Sequence, residues 1–215
     1  MLVDARRALL VSGGLLAGAT GIGVLVTLPA TADAVQAVDD AAWRFTSTIR
    51  NGPTTVVAVL LSWLGSVWVN WPLRVLAFVL LAWRTHWLRL SSFALAVVTS
   101  ELAIGPVKAW IDRPRPPESL IATSAASFPS GHAIAAAVTA VGLVLVLAEP
   151  GPPRWRWEVW AVVFASVMAL SRVYLRAHWL SDVAAGSLLG AGLALGWPAL
   201  LGTLRTRRQG SERPP

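Results

Sequence analysis

Three short clusters of ionisable and hydroxyl residues interrupt a chain that is otherwise strongly apolar. They occupy residues 108–115, 127–132 and 171–182, each at the boundary of an apolar run. Ionisable groups at membrane depth are costly and usually mark function rather than packing. The three clusters are therefore candidates for one functional site, provided that the fold brings them together.

The first cluster is a concentration of cations. Lys108, Arg113 and Arg115 fall within eight residues, and prolines stiffen this stretch. Arginine offers a planar fork of donors that matches a phosphate, and lysine offers a compact point charge. The cluster predicts an anion site, although snorkelling side chains or contact with lipid headgroups would explain it equally well.

The second cluster, Ser130-Gly131-His132, directly precedes an apolar run. Ser130 stands where a helix cap is expected, and Gly131 would let a ligand approach the backbone closely. Amides at a helix N-terminus commonly hold anions, and His132 would lie beside such an anion as a proton donor. The alternative is an ordinary capped helix with a chance histidine. Two of the three histidines fall in these clusters, which favours function.

The third cluster contains Arg172, His178 and Asp182. A helix running through both His178 and Asp182 would place them on one face, because residues four apart are neighbours on a helix. A carboxylate bonded to one imidazole nitrogen fixes the tautomer and leaves the other nitrogen free to attack an electrophile. Alternatively, Asp182 only caps the helix and His178 is an interfacial residue.

Together the clusters predict phosphoryl transfer through a covalent phosphohistidine. Cations would neutralise the phosphoryl oxygens while one histidine attacks phosphorus and the other protonates the leaving oxygen. A metal site is the competing hypothesis, but two histidines with scattered acids lack the tight ligand spacing of such a site. The absence of cysteine excludes disulfides and thiolate chemistry. We therefore expect neither a metal nor a cofactor.

The composition predicts where this chemistry takes place. Of the 215 residues, 55% are hydrophobic and 13% are charged, and the mean hydropathy is +0.62. This is too apolar for a soluble domain and indicates several membrane spans. The net charge of +7 comes from short basic clusters between apolar runs. Such clusters are typical of topology signals or headgroup contacts, so we expect membrane lipids rather than nucleic acid as partners.

We predict an all-α, polytopic membrane bundle of six transmembrane helices, forming a single integral-membrane domain over residues 1–215. The alternative to an uncleaved first span is a cleaved signal peptide. An amphipathic interfacial helix at 33–50 would follow the first span, and the alternative for this segment is a plain connector. Residues 54–64 would be an interfacial lead-in to the second span. Arg74 and Glu101 lie inside predicted spans without an evident role. The spans are predicted at about 8–32, 65–83, 90–110, 131–148, 157–170 and 183–204.

Six spans place both termini on the same side of the membrane. Ten arginines at the termini and in two turns would then lie on that side, which the positive-inside tendency identifies as the cytoplasm. The three clusters fall on the opposite face of the membrane, where topology signals do not explain the presence of basic residues. Anion binding would explain them. The ten residues are Arg6, Arg7, Arg84, Arg89, Arg154, Arg156, Arg205, Arg207, Arg208 and Arg213.

The motifs also carry a resemblance to a known family. Taken in order, they resemble the three-part signature of the type 2 phosphatidic acid phosphatase superfamily, and every signature position is filled in the right order and spacing. The family includes membrane lipid phosphate phosphatases, bacterial polyprenyl diphosphate phosphatases, glucose 6-phosphatase and soluble vanadium haloperoxidases. The matching segments are Lys108-x6-Arg115-Pro116, Pro129-Ser130-Gly131-His132 and Ser171-Arg172-x5-His178-x3-Asp182.

The resemblance implies a role for each signature residue. His178 would be the nucleophile, oriented by Asp182, and His132 would be the acid for the leaving group. The family works without a metal. Arg113 and Arg176 lie outside the signature and would tune the headgroup or have no specific role. The residues implied to bind the phosphate are Lys108, Arg115, Ser130, Gly131 through its amide, and Arg172.

The resemblance further implies a lipid phosphate substrate that enters sideways from the bilayer. The expected substrate is a polyprenyl or glycerolipid phosphate, hydrolysed at the outer face of the plasma membrane; the family's bacterial members act on phosphatidate, phosphatidylglycerol phosphate, diacylglycerol pyrophosphate and polyprenyl mono- or diphosphates. A transporter or headgroup sensor that binds phosphate without cleaving it is the alternative of a different class. The sequence shows no inverted repeats with paired broken helices, which weakens that alternative. An inactive scaffold is disfavoured by the intact histidine pair.

Overall fold

The computed structural model describes residues 4–123 and 126–211, so Arg213 of the predicted basic tail lies outside the described residues. Every regular element in these two ranges is an α-helix. This confirms the predicted all-α class. The helices are α1 (Ala5–Thr27), α2 (Pro29–Thr48), α3 (Gly52–Leu64), α4 (Val67–Trp83), α5 (Trp87–Ile111), α6 (Gly131–Leu147), α7 (Arg154–Tyr174) and α8 (Leu180–Ser211).

Local sequence signals start and stop several of these helices. The Asp4 side chain accepts a hydrogen bond from the Arg7 amide at 3.2 Å and caps α1. Asn51 and Thr54 form a reciprocal capping box at the start of α3. Asp112 adopts a left-handed conformation, with φ +43°, and ends α5. These devices satisfy backbone groups that a helix end would otherwise leave without partners.

The helices confirm a multi-pass membrane protein. Four of them, α1, α5, α7 and α8, are long and apolar enough to cross a membrane. Helices α3 and α4 meet at a 40° bend and give a fifth candidate if they form one broken span. Helix α6 is apolar but has only 17 residues, or about 26 Å, which is near the lower limit for spanning. Six spans are thus an approximate count that includes both of these segments.

The predicted end of the first span is wrong, and the segment predicted as a lead-in to the second span is a regular helix. Helix α1 ends at Thr27 instead of residue 32, because Leu28 is extended and Pro29 starts α2; a proline disfavours helical conformation in the residue before it and suits a first helical turn. The lead-in predicted at 54–64 is the regular helix α3, which packs against α7. The predicted second span at 65–83 agrees with α4, Val67–Trp83, and α3 and α4 taken together also have the length and hydropathy of a span.

Helix α8 is the centre of the bundle and packs against α1, α5, α6 and α7. Two glycines allow its close approach to α6. A Cβ atom on Gly186 would lie 2.7 Å from the Ser130 carbonyl oxygen, and one on Gly190 would lie 2.6 Å from the Ile134 carbonyl oxygen. Small residues at helix contacts permit such backbone approach in membranes, where packing rather than water exclusion drives association. The start of α6 is thereby fixed against the start of α8.

The helix directions sort the polar residues between the two ends of the bundle. The end of α5, the start of α6, the end of α7 and the start of α8 meet at one end, and they carry the three clusters. At the other end, Arg89 donates hydrogen bonds to Glu149 and to the Val146 carbonyl oxygen. Asp4 and Arg7 share a cavity there with Arg154. The sequence predicts the same separation.

Candidate active site

The last turn of α5, which carries Lys108, and the loop after it place the first cluster beside the second and third. The Lys108 ammonium donates hydrogen bonds to the carbonyl oxygens of Ala126 and Ser127. Arg115 Nη1 donates to the Ala177 carbonyl oxygen at 2.5 Å, next to His178. Both cations therefore hold the loops together while their charge is concentrated at the mouth of the bundle.

The second cluster forms the first turn of α6. Ser130 is fully buried and caps the helix, since its hydroxyl accepts from the Ala133 amide at 3.4 Å. The Ser130 amide donates to the Asp182 carbonyl oxygen at 3.1 Å, which ties this turn to the third cluster. His132 follows in the same turn and interacts electrostatically with Lys108, Arg115, Arg172 and His178.

The third cluster is arranged differently from the expectation that His178 and Asp182 share one helix face. Helix α8 begins at Leu180, so His178 lies in the turn before it while Asp182 lies in the first helical turn. The turn nevertheless brings His178 Nδ1 to 3.6 Å from Asp182 Oδ2. That separation exceeds an ordinary hydrogen bond, and Nδ1 has no hydrogen-bond partner within the described ranges. The pair is in electrostatic contact and needs only a small adjustment to bond.

The other ring nitrogen of His178 faces the cations. Its Nε2 lies 3.4 Å from Arg115 Nη1. Burial lowers the pKa of His178 to about 4; Asp182 partly offsets this, and the charges of Arg115 and Arg172 reinforce it. His178 is therefore neutral at physiological pH, with an unprotonated nitrogen available for attack.

Arg172 completes the positive surface from the end of α7. One terminal nitrogen donates to the Ser62 hydroxyl on α3. Its Nε is buried and finds no hydrogen-bond partner among the residues that the structure describes. A buried donor without a partner is costly. A bound phosphate oxygen would satisfy it.

Asp182 has partners that the sequence analysis did not anticipate. Its Oδ1 accepts from Arg113 Nη1 and its Oδ2 accepts from the Trp179 amide, both at 2.9 Å. Asp182 thus also supports the helix start, as the alternative interpretation held, while it contacts His178. The signature distinguishes Arg115 from Arg113, but no sequence signal indicated that Arg113 bonds to Asp182.

Three further charged residues have structural partners. Arg74 is 1% exposed and pairs with Glu101 at 2.6 Å, and it also donates to the Thr139 hydroxyl at 2.9 Å. Arg74 and Glu101, the two charged residues without an evident role inside predicted spans, therefore form an ion pair with each other. Arg176 pairs with Glu118, outside the cluster of signature residues.

The arrangement suits an anion rather than a cation. Three cations and two histidine rings are close enough to interact electrostatically, and the Asp182 carboxylate lies 3.6 Å from His178 Nδ1. Within residues 4–123 and 126–211, no group of three or more His, Cys, Asp or Glu side chains is placed to hold a metal ion. Fixed positive groups of this kind stabilise the charge that develops on a transferring phosphoryl group.

Fold and site together define a polytopic helical membrane protein with a cluster of three cations and two histidines. Residues 85–205 match the PAP2 superfamily, and the chain belongs to that family. It is 32% identical to phosphatidylglycerophosphatase B of Bacillus subtilis over 164 residues, which cover 74% of this chain and 80% of that protein. These findings confirm the resemblance drawn from the three motifs and identify the chain as a phosphatase of the PAP2 type.

Other relatives agree with this assignment. An undecaprenyl-diphosphatase from Sulfolobus acidocaldarius is 40% identical over 68 residues, but the match spans only 32% of this chain and 30% of that protein. The crystal structure of a transmembrane PAP2 type phosphatidylglycerolphosphate phosphatase from Bacillus subtilis covers 91% of this chain and 96% of its own, with 29% identity and a TM-score of 0.73. The crystal structure of Aquifex aeolicus LpxE shares the fold, with a TM-score of 0.57 and 22% identity. The match covers 77% of this chain and 92% of LpxE.

Proposed function

We propose that the chain hydrolyses a phosphomonoester or diphosphate of a lipid through a phosphohistidine at His178. The observation that supports the proposal is the position of the His178 imidazole between Asp182 and Arg115. Its Nδ1 faces Asp182 at 3.6 Å, and its Nε2 faces Arg115 at 3.4 Å. A neutral imidazole between an orienting carboxylate and a cationic pocket is poised to attack phosphorus.

The reaction follows in two displacements. His178 Nε2 forms a bond to phosphorus while the bond to the lipid oxygen breaks, and His132 gives that oxygen a proton. Water then attacks the phosphohistidine, His132 takes the proton from the water, and phosphate leaves as the bond to Nε2 breaks. Lys108, Arg115 and Arg172 neutralise the non-bridging oxygens, with the Ser130 hydroxyl and the Gly131 amide as further donors.

An apolar groove supports a lipid as the substrate. A cavity of about 430 Å³ runs between α2, α3 and α7 and is lined mainly by apolar side chains, among them Val57 and Leu61. It lies beside the contact between Ser62 and Arg172, because Leu61 and Ser171 line it. A hydrocarbon chain in this groove would leave its phosphate near Arg172. By analogy with the named relatives, phosphatidylglycerol phosphate and undecaprenyl diphosphate are the first substrates to test.

We further propose that residues 1–215 form one domain in the plasma membrane, with the pocket on the extracytoplasmic face and both termini in the cytoplasm. The cationic turns at the end opposite the pocket support this orientation. The chain has no cysteine, so single cysteines report sidedness directly. An impermeant maleimide added to intact cells should label Pro117→Cys and not His86→Cys; the reverse pattern would invert the topology.

The decisive experiment is phosphate release by His178→Ala enzyme, purified in detergent and assayed in EDTA with both lipids and phosphatidate. We expect loss of activity by about six orders of magnitude, as for other catalytic nucleophiles. His86→Ala is the matched control, because His86 lies at the other end of the bundle. Full activity of His178→Ala would refute the proposal. Wild-type protein that binds these lipids without releasing phosphate would favour a transporter or sensor.

The acid role of His132 has a separate test. His132→Ala should slow turnover about 10²- to 10⁴-fold, the usual range for a general acid, while vanadate, a phosphate mimic, binds nearly as well as before. Weaker vanadate binding with little change in turnover would instead make His132 a binding residue.

A further inference from the structure

A buried polar network connects α2 to the turn that carries His178. Asp39 on α2 is 1% exposed. Its Oδ1 accepts from the Ser181 amide at 2.8 Å, and its Oδ2 accepts from the Ser181 hydroxyl at 2.6 Å and from Arg113 Nη2 at 2.8 Å. Asp39 therefore holds both the first turn of α8 and Arg113.

Arg113 has no terminal N–H left for a substrate. Its Nη1 donates to the Ser181 hydroxyl at 2.6 Å and to Asp182 Oδ1 at 2.9 Å. Its Nη2 donates to Gln36 Oε1 and to Asp39 Oδ2, both at 2.8 Å. Each terminal nitrogen of a guanidinium carries two hydrogens, so these four contacts use all four. The role of Arg113 is thus different from that of Arg115.

The network determines how Asp182 faces His178. Arg113 fixes Oδ1, and the Trp179 amide fixes Oδ2, the oxygen that lies 3.6 Å from His178 Nδ1. Without Arg113, the carboxylate would lose one of these two anchors and could rotate. Even a small displacement of reacting groups, of about 1 Å, can lower the reaction rate about 10²-fold.

The charges of the network also suit the reaction. Two carboxylates, Asp39 and Asp182, face one guanidinium, that of Arg113. The cluster therefore has an excess of negative charge next to His178. This excess stabilises the positive charge that the imidazole acquires when its Nε2 bonds to phosphorus.

We propose that Asp39 and Arg113 are positioning residues that orient Asp182 toward His178, which makes α2 part of the catalytic apparatus. The inference rests on the proposed function, because it needs His178 as the nucleophile. It adds two residues outside the signature positions: Arg113 within the first motif, and Asp39 on the helix that the sequence predicted as a membrane-surface element.

Arg176 supplies a matched control. Like Arg113, it is a largely buried arginine that joins the His178 turn to α2, through the Ser47 hydroxyl at 2.6 Å and the Trp43 ring at 4.1 Å. Its ion-pair partner is Glu118 instead of Asp182. Loosening this contact tests general support of the turn without altering the orientation of Asp182.

The experiment compares Asp39→Asn, Arg113→Lys and Arg176→Lys as full-length protein in detergent, with kcat, KM and vanadate inhibition as readouts. We expect kcat to fall about 10- to 100-fold for the first two, by analogy with residues that orient metal ligands, with KM and vanadate inhibition changed less than about threefold. Combining the two changes should cost little more than either alone, because they disrupt one unit. Arg176→Lys should keep kcat within about threefold of wild type.

A milder variant, Ser181→Ala, keeps the test valid if Asp39→Asn and Arg113→Lys fail to fold. It removes only the hydroxyl shared by Asp39 and Arg113, and it should lower kcat by about threefold or more without raising KM. An unchanged kcat would contradict the inference.

The possible outcomes separate this inference from the proposed function. Equal losses of kcat in Arg176→Lys and Arg113→Lys would overturn the positioning role, as would a rise in KM with weaker vanadate inhibition. Unchanged kcat in the Asp39 and Arg113 variants, with inactive His178→Ala, would reject only the inference. Active His178→Ala enzyme would reject the proposed function itself.

Discussion

The contact between Gly186 and the start of α6 predicts a measurable link between helix packing and catalysis. In Gly186→Ala, the new Cβ would lie 2.7 Å from the Ser130 carbonyl oxygen, 3.2 Å from Ala133 Cβ and 3.3 Å from Ile134 Cγ1. The nearest of these atoms belongs to the backbone, so no side-chain rotation can relieve the contact. Helix α6 must move away from α8.

The required displacement follows from the distances. Ordinary van der Waals contact of a Cβ begins at 3.4 Å, so the Ser130 carbonyl must shift by about 0.7 Å. Overpacking of this kind costs about 1–3 kcal/mol. Because a misplacement of about 1 Å can cost 10²-fold in rate, we expect kcat to fall by roughly 10- to 100-fold as Ser130 and His132 move.

The assay is phosphate release and thermal unfolding of the purified protein in detergent, with two controls on α8. Gly202→Ala meets nothing within 4 Å and should be neutral or slightly stabilising. Gly190→Ala meets the Ile134 carbonyl oxygen at 2.6 Å, one turn further from the site. It should lower Tm as much as Gly186→Ala but lower kcat less.

Values of Tm and kcat in Gly186→Ala equal to those of Gly202→Ala would refute the link between this helix contact and catalysis. Equal losses of kcat at Gly186 and Gly190 would show that overall stability, and not the position of the α6 start, controls activity. Loss of affinity for vanadate with unchanged kcat would show that the displaced turn binds phosphate without affecting turnover.

Three further predictions concern the nucleophile, the groove and the ion pair within the membrane. Since burial lowers the pKa of His178 to about 4, its reactive neutral form persists down to that pH, and kcat/KM should fall only as pH drops through about 4; an acid limb near 6.5, the pKa of an exposed histidine, would contradict this. Val57→Trp, which fills the groove, should raise KM for long-chain lipid phosphates about tenfold while a short-chain soluble phosphate is unaffected, and Val56→Trp, outside the groove lining, is its control; equal effects of both changes would argue against the groove. Arg74→Leu leaves Glu101 unpaired and should lower Tm, and adding Glu101→Leu should recover part of the loss; no recovery in the double variant would show that the pair is not coupled.

The sequence contained enough local information to predict the class of fold. Long apolar runs report membrane spans because their length must match the bilayer and their backbone must bond within the segment. The predicted limits of the span after residue 90 agree with α5, and those after residue 131 agree with α6. The predicted break near residue 65 agrees with the bend between α3 and α4, but hydropathy alone does not distinguish a broken span from a surface helix followed by a span.

The candidate site was predicted from residue types and spacing. Lysine, arginine and histidine in motifs of fixed order indicate anion binding and proton donation, even before the positions of the side chains are known. The predicted Ser130 cap is also present, because a cap depends only on residues three apart. The helix through His178 was a wrong expectation, since α8 starts two residues later and Asp182 supports that start.

What the sequence determined by itself was therefore the membrane class, the family and the residues available for catalysis. Only the tertiary structure decided which charges meet. Arg113 and Asp39 are 74 residues apart, and Arg172 and Ser62 are 110 apart. Hydrogen bonds act over about 3 Å, so such pairs form only after helices that are distant in sequence have packed. Periodicity and motif spacing describe one segment at a time, and the contacts that orient Asp182 arise between segments.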